Sequence, residues 1–153
     1  MAEVRVTAER TIGAPASQVY RYLADYRNHH PRFLPPAFSD FRVEEGGVGA
    51  GTTVRFRLTA GGRTRDYHMR ITEPQPGRVL SEADLDSTAV TLFNVQPDGK
   101  DCRARIATSW QGAPGIGGFF ERLFAPRVLG RLYADELDRL DAYAREQARG
   151  ERR

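Results

Sequence analysis

The chain has 153 residues, 40% of them hydrophobic and 28% charged, the balance of one ordinary globular domain that buries a core without covalent staples. A single cysteine, Cys102, excludes an internal disulfide. The net charge of +3 comes from arginines scattered among acids, with Lys100 as the one lysine, so nucleic acid is not the expected partner. Met1 to Arg10 has no continuous apolar signal segment, and no run approaches the length of a bilayer span, so the simplest expectation is a cytoplasmic protein.

Glu3 to Ile12 sets Val4, Val6, Ala8 and Ile12 against Arg5, Thr7, Glu9 and Thr11, the period-two pattern of a half-buried strand. Gly13, Ala14 and Pro15 interrupt it. A helix is expected from Pro15 or Ala16 to Asp25, with Val19, Tyr20 and Leu23 on its inner face. A second short helix or turn is read around Asn28 to Phe33, halted by Pro35 and Pro36.

Strands punctuated by turns follow: Phe38 to Glu44, Thr53 to Thr59, Thr64 to Thr72, Arg78 to Leu85, Ala89 to Gln96 and Cys102 to Trp110. Gly61 and Gly62 mark a tight hairpin, Glu73 to Gly77 a turn with two prolines, and Pro97 to Lys100 another turn. Gly46 to Gly51 lacks the Gly-Lys-Ser/Thr ending of a phosphate loop and leads into a strand, so it reads as a turn. Seven alternating strands imply an antiparallel sheet with one wet face.

The last stretch, Gly115 to Ala148, carries an apolar face at helical spacing: Ile116, Phe119, Phe120, Leu123, Phe124, then Val128, Leu129, Leu132, Tyr133, Leu137, Leu140 and Tyr143. Pro126 predicts a kink or a break into two helices. This helix is the only large apolar partner for the dry face of the sheet, which makes an α+β domain with a curved sheet around a terminal helix. A long helix laid across a curved sheet leaves room for a space between them.

Alternation places Phe56, Leu58, Tyr67, Met69, Ile106, Thr108 and Trp110 on the inner face, with Phe120, Phe124 and Tyr133 from the helix. The fifth and sixth strands stay ambiguous, because Val90, Leu92, Asn94 and Thr91, Phe93, Val95 both offer apolar sets. Tyr26, Phe33 and Phe38 are expected at the entrance. Arg65 shares the phase of Tyr67, and a tyrosine hydroxyl beside an arginine could polarise a ligand carbonyl. The plainer reading, which is preferred, turns Arg65 out to solvent at the strand end and leaves Tyr67 bonding to backbone or water.

Other reactive side chains carry less. His29 and His30 are adjacent in a proline-rich turn with no third metal ligand at useful spacing. His68 and Asp66 are expected in water if Tyr67 is inside. Cys102 opens a strand with no histidine near it in sequence, which suits a packed thiol better than a nucleophile. No metal or cofactor is expected.

The order of elements and several short motifs resemble the START-like superfamily (the SRPBCC group), in its polyketide cyclase/dehydrase-like branch. The motifs are Ala14-Pro15-Ala16-Ser17-Gln18-Val19-Tyr20, Leu23-Ala24-Asp25-Tyr26, Gly49-Ala50-Gly51-Thr52, Thr72-Glu73-Pro74 with Gly77-Arg78, and Leu137-Asp138-Arg139-Leu140. The resemblance implies a helix-grip fold: a curved seven-stranded antiparallel sheet around the C-terminal helix, with two short helices after the first strand. It would occupy residues 1–148 as one domain, followed by a charged tail at 149–153. Members commonly hold a hydrophobic small molecule between sheet and helix, while others are aromatase/cyclases or bind proteins. The leading expectation is therefore a carrier or sensor for a lipid, polyketide or aromatic metabolite. Its candidate ligand-binding residues are Phe56, Leu58, Arg65, Tyr67, Met69, Thr108, Trp110, Phe120 and Phe124. An aromatase/cyclase- or dehydratase-like enzyme and a protein-binding regulatory module are the alternatives, and a monomer or homodimer is expected. The matching motifs are structural ones, so no catalytic residue transfers by position.

Overall fold

A computed structural model describes residues 3–151, apart from the side chains of Phe119 and Phe120. The strands are β1 (Glu3–Ile12), β2 (Phe38–Glu45), β3 (Thr53–Ala60), β4 (Arg63–Gln75), β5 (Val79–Asp84), β6 (Val90–Asp98) and β7 (Asp101–Gln111). They form one antiparallel sheet in the order β1-β7-β6-β5-β4-β3-β2. Helix α1 (Ala16–Ala24) and a 3-10 turn (His30–Phe33) lie between β1 and β2, and α2 (Gly115–Glu151) closes the described chain. This is the helix-grip architecture: the curved sheet wraps the long C-terminal helix.

Most element boundaries fall within two residues of those the alternation predicts, with two instructive differences. β4 continues through Glu73 to Gln75 instead of stopping at Thr72: a register shift accommodates Pro74, and Pro76 opens the turn that follows. Such irregularities bend a strand, as do the two in β2, and bent strands let the sheet curl around the helix. Pro126 does not split α2, which runs as one 37-residue helix, and its last turns include Arg149 to Glu151 where a tail was expected. Arg152 and Arg153 of that tail lie outside the described residues.

Inner-face side chains pack one continuous core with α1 and the second half of α2. Val6, Ile12, Val54, Ile71, Leu80, Phe93, Val95, Ala104 and Ile106 meet Val19, Leu23, Leu137 and Leu140 there. Burial of Thr91, Phe93 and Val95, with Leu92 39% exposed, settles the phase of β6. In β5, Leu80, Glu82 and Asp84 are buried on one phase.

Polar links fix the frame. Asp141 of α2 accepts the Gly13 backbone N–H (2.8 Å), Arg10 Nη2 (3.0 Å) and Arg145 Nε (3.0 Å), which fastens the helix to the end of β1. Glu73 accepts the Tyr20 hydroxyl (2.7 Å) and the Ala50 N–H (2.9 Å), which ties α1, the β2–β3 loop and β4 together. At Gly49, φ is +67° and an added Cβ would strike Glu73 Oε1, so the Gly49-Ala50-Gly51-Thr52 motif is a structural requirement of that junction.

Candidate functional site

A cavity of about 580 Å³ lies between the inner face of β3–β7 and α2. Its size suits a small organic ligand, for which pockets run roughly 300–1,000 Å³. β3 contributes Phe56 and Leu58, β4 Arg65, Tyr67 and Met69, β7 Ile106, Thr108 and Trp110, and α2 Phe124 and Tyr133, so these sequence-predicted positions all reach the wall. The side chain of Phe120 lies outside the described residues.

Aromatic rings line one side. Phe56 stacks on Tyr67 with ring centres 5.3 Å apart, Phe38 meets Phe56 edge-on at 5.5 Å, and Phe41 joins the group. The Arg65 guanidinium lies 5.0 Å over the Tyr67 ring and 3.7 Å from Asp84 Oδ2, at the exposed end of β4. Burial moves the Tyr67 hydroxyl upward from its ordinary pKa, against the pull of Arg65. Arg63, Thr64 and Gly61 of the β3–β4 hairpin are exposed lining residues, as is Phe124 facing them from α2; together they form the mouth.

The inner end is polar. Register places Ile71, Glu82, Thr91, Thr108 and Val6 in one lateral row across β4, β5, β6, β7 and β1. Three consecutive strands thus set a carboxyl and two hydroxyls side by side. Thr108 Oγ1 donates to the Tyr133 hydroxyl (2.7 Å), so the 2.7 Å contact between Thr91 and Thr108 has Thr91 as donor. The chain of donors leaves the Tyr133 O–H proton for a further acceptor. One turn along α2, on the same side of the helix, stands Glu136.

Glu82 and Glu136 both line the cavity and are buried to 7% and 3% exposure. The Tyr26 hydroxyl donates to Glu82 Oε2 (2.6 Å), whereas Glu136 Oε2 is buried without a hydrogen-bond partner among the described residues. Burial pushes the Glu82 carboxyl up to about 7, only partly offset by the Tyr26 hydrogen bond. Burial, and then the negative charge of Glu82 and of Asp135, hold Glu136 well above the ordinary carboxyl range. His30, also on the wall, gives its Nδ1–H to the Leu23 carbonyl (2.6 Å), and burial lowers its pKa to about 4. At neutral pH it is therefore an uncharged imidazole and supplies no cation to the carboxyls.

Three placements, those of Tyr26, Phe33 and His68, are corrected here. Tyr26 and Phe33 are almost fully buried rather than at the entrance; Tyr26 stacks on His30 (4.5 Å), while Phe38 does reach the wall. His68 is not in water: it is half-buried, with Nε2 3.7 Å from Glu44 Oε2 of β2. His29 and His30 diverge, the first meeting the Tyr143 hydroxyl at 2.6 Å. Cys102 is buried at the far end of β7, its thiol pushed up to about 11 by burial and by Asp101 and Asp141. No group of three His, Cys, Asp or Glu side chains gathers as a metal site among the described residues.

Sequence reasoning missed the two glutamates. Glu136 carried a legible signal, since it interrupts the apolar stripe between Tyr133 and Leu137. Glu82 carried none until the phase of β5 was known.

A family model described as polyketide cyclase / dehydrase and lipid transport matches residues 3–145. The granaticin polyketide synthase bifunctional cyclase/dehydratase of Streptomyces virginiae is 34% identical over 103 residues, which are 63% of this chain and 33% of that protein. The chain thus matches about a third of the length of that relative. The solution structure of the KanY protein superposes with a TM-score of 0.84 at 31% identity, covering 95% of this chain and 99% of that one. The crystal structure of the Zhui aromatase/cyclase from a Streptomyces species has a TM-score of 0.78 at 18% identity, covering 96% of each chain, and shares the fold. Among the described residues, no helix is long and apolar enough to cross a membrane.

Proposed function

The chain belongs to the polyketide cyclase/dehydrase and lipid transport family, and on that premise we propose that its cavity binds a hydrophobic small molecule of the polyketide, aromatic or lipid class. One observation carries this reading: a 580 Å³ space walled by stacked aromatic side chains, open at the β3–β4 hairpin and polar at its inner end. The ligand lies against Phe56, Leu58, Tyr67, Met69 and Trp110, with Arg65 and Phe124 at the mouth and Thr108 deeper in. Aromatic faces favour a flat, unsaturated ligand over a saturated chain, since offset ring stacking adds to simple burial.

Trp110 is the only tryptophan and lies on the wall, so its fluorescence reports occupancy directly. Titration with tricyclic aromatic ketones and with fatty acids should give a saturable change in Trp110 emission for the aromatic set. Substitution of Met69 by Trp is the wrong probe, because it adds a second fluorophore; Leu58→Phe narrows the space and should weaken the same response. No saturable response to any compound, with no co-purifying mass in native mass spectrometry, would remove the reading.

A polyketide cyclase- or dehydratase-like activity is the second reading, and a separate observation favours it. Glu82, near pH 7 in its titration, can hold or release a proton beside the ligand space, which is the property general acid–base catalysis requires. Incubation with a poly-β-ketone thioester mimic, followed by mass spectrometry for loss of water, tests it. The protein-binding alternative needs a filled core beneath an exposed apolar patch, and the open cavity counts against it.

A further inference from the structure

We propose that Glu136, set against Glu82 at the inner end of the cavity, is the group that recognises the ligand, by hydrogen bonding to a carbonyl or hydroxyl oxygen that enters first. This rests on the reading that the cavity takes a hydrophobic small molecule, and it narrows that class to molecules with an oxygen at the buried end.

The placement is unusual for a helix that packs on a sheet. Glu136 stands in the apolar stripe of α2 and lines the cavity, yet its Oε2 meets no donor among the described residues. No arginine forms an ion pair with either glutamate among the described residues. A buried carboxylate without a partner is costly, and the usual resolution is that it keeps its proton. Burial and the acids around it, Glu82 from β5 and Asp135 from α2 itself, push the same way. Tyr26 after α1, Tyr133 one turn back and neutral His30 at the start of the 3-10 turn bring no cation to oppose them. A protonated Glu136 is a donor at the end of an apolar tube. Beside it the Thr91, Thr108 and Tyr133 relay ends in a second free O–H. Two O–H donors against one inner wall fit the two lone pairs of a carbonyl oxygen, or a phenolic hydroxyl that also donates in return. A hydrocarbon in the same place would leave both donors unpaired, which disfavours it.

The test compares anthrone with anthracene, tricycles of nearly equal size that differ by one carbonyl oxygen, read by Trp110 fluorescence on the intact chain. Anthrone should bind on the order of tenfold more tightly than anthracene. In Glu136→Leu that preference should collapse, through weaker anthrone binding with anthracene binding kept or improved. Glu136→Gln retains a donor at neutral pH and should keep part of the preference, which separates the hydrogen bond from a packing effect. Circular dichroism melts establish that both variants fold. Equal binding of the two probes by the native chain, or an unchanged preference in Glu136→Leu, would overturn the proposal and leave the cavity reading standing. No saturable response to either probe would remove both.

Discussion

Between Tyr133 and Ala144, α2 buries Tyr133, Glu136, Leu137, Leu140, Asp141, Tyr143 and Ala144, whereas between Gly115 and Leu129 it leaves Ile116 78%, Leu123 43% and Phe124 49% exposed. The two halves carry similar apolar stripes, so the difference lies in what stands opposite. The second half packs on β1 and the 3-10 turn and is fastened by Asp141 to Gly13 and Arg10 and by Tyr143 to His29. The first half passes over the cavity, and the space beneath it takes the place of packed core. It also holds Gly117, Gly118 and Pro126, residues of poor helix propensity, while Gly130 marks the join. An anchored half and a roofing half in one helix separate stability from access to the cavity.

The largest effect that tests this contrast is a truncation in each half. Leu137→Ala should cost about 2–5 kcal/mol, as buried leucine truncations do, while Leu123→Ala should stay within about 0.5 kcal/mol. Denaturant unfolding measures both, and similar losses would erase the distinction.

Acidity comes next. Glu82 titrates near 7 in the folded chain against an ordinary 4.5, and Glu136 is shifted the same way, so the folded state holds protons that the unfolded state releases. The contribution of Glu82 is fully present below about pH 4.5 and is lost as pH rises through 7, at about 3 kcal/mol, and that of Glu136 is lost in the same direction. His30 has the opposite sign: its folded value of about 4 means stability is gained as pH rises from 4 to 6.5, which masks part of the trend in the native chain. Glu136→Leu removes one acid and leaves His30 in place. Its advantage over the native chain should therefore grow steadily from pH 5 to pH 8 in denaturant titrations, and a constant difference would show that Glu136 does not hold its proton.

Asp141→Ala removes the carboxylate that accepts Gly13 N–H and joins two arginines, at a cost of about 1–3 kcal/mol. Hydrogen exchange should quicken at the C-terminal half of α2 first. The smallest effect belongs to the roof. A Cβ on Gly117 meets nothing within 4 Å, so Gly117→Ala should stabilise by about 0.5–1 kcal/mol, read as slower exchange there. Gly118→Ala, one residue on, would drive its methyl into the Ala113 carbonyl and should destabilise.

The sequence by itself determined the seven strands, the long last helix and the inward set of β3, β4 and β7. Strict period-two alternation and a 3.6-residue stripe are local properties, fixed by which side chains can share a face. It also placed Phe56, Tyr67, Thr108 and Trp110 correctly on one wall. The continuation of β4 past Pro74, the half-burial of His68 and the depth of Tyr26 were decided only by tertiary structure. So was the meeting of Glu82 with Glu136. Alternation tells which residues of β5 lie together but not which of its two faces the helix covers, and in a short strand with polar residues on both phases nothing local chooses. Register between β4, β5 and β6 makes that choice. It carries a carboxyl to the cavity wall because the apolar neighbours buried with it, Leu80 among them, offset the cost of burying one acid.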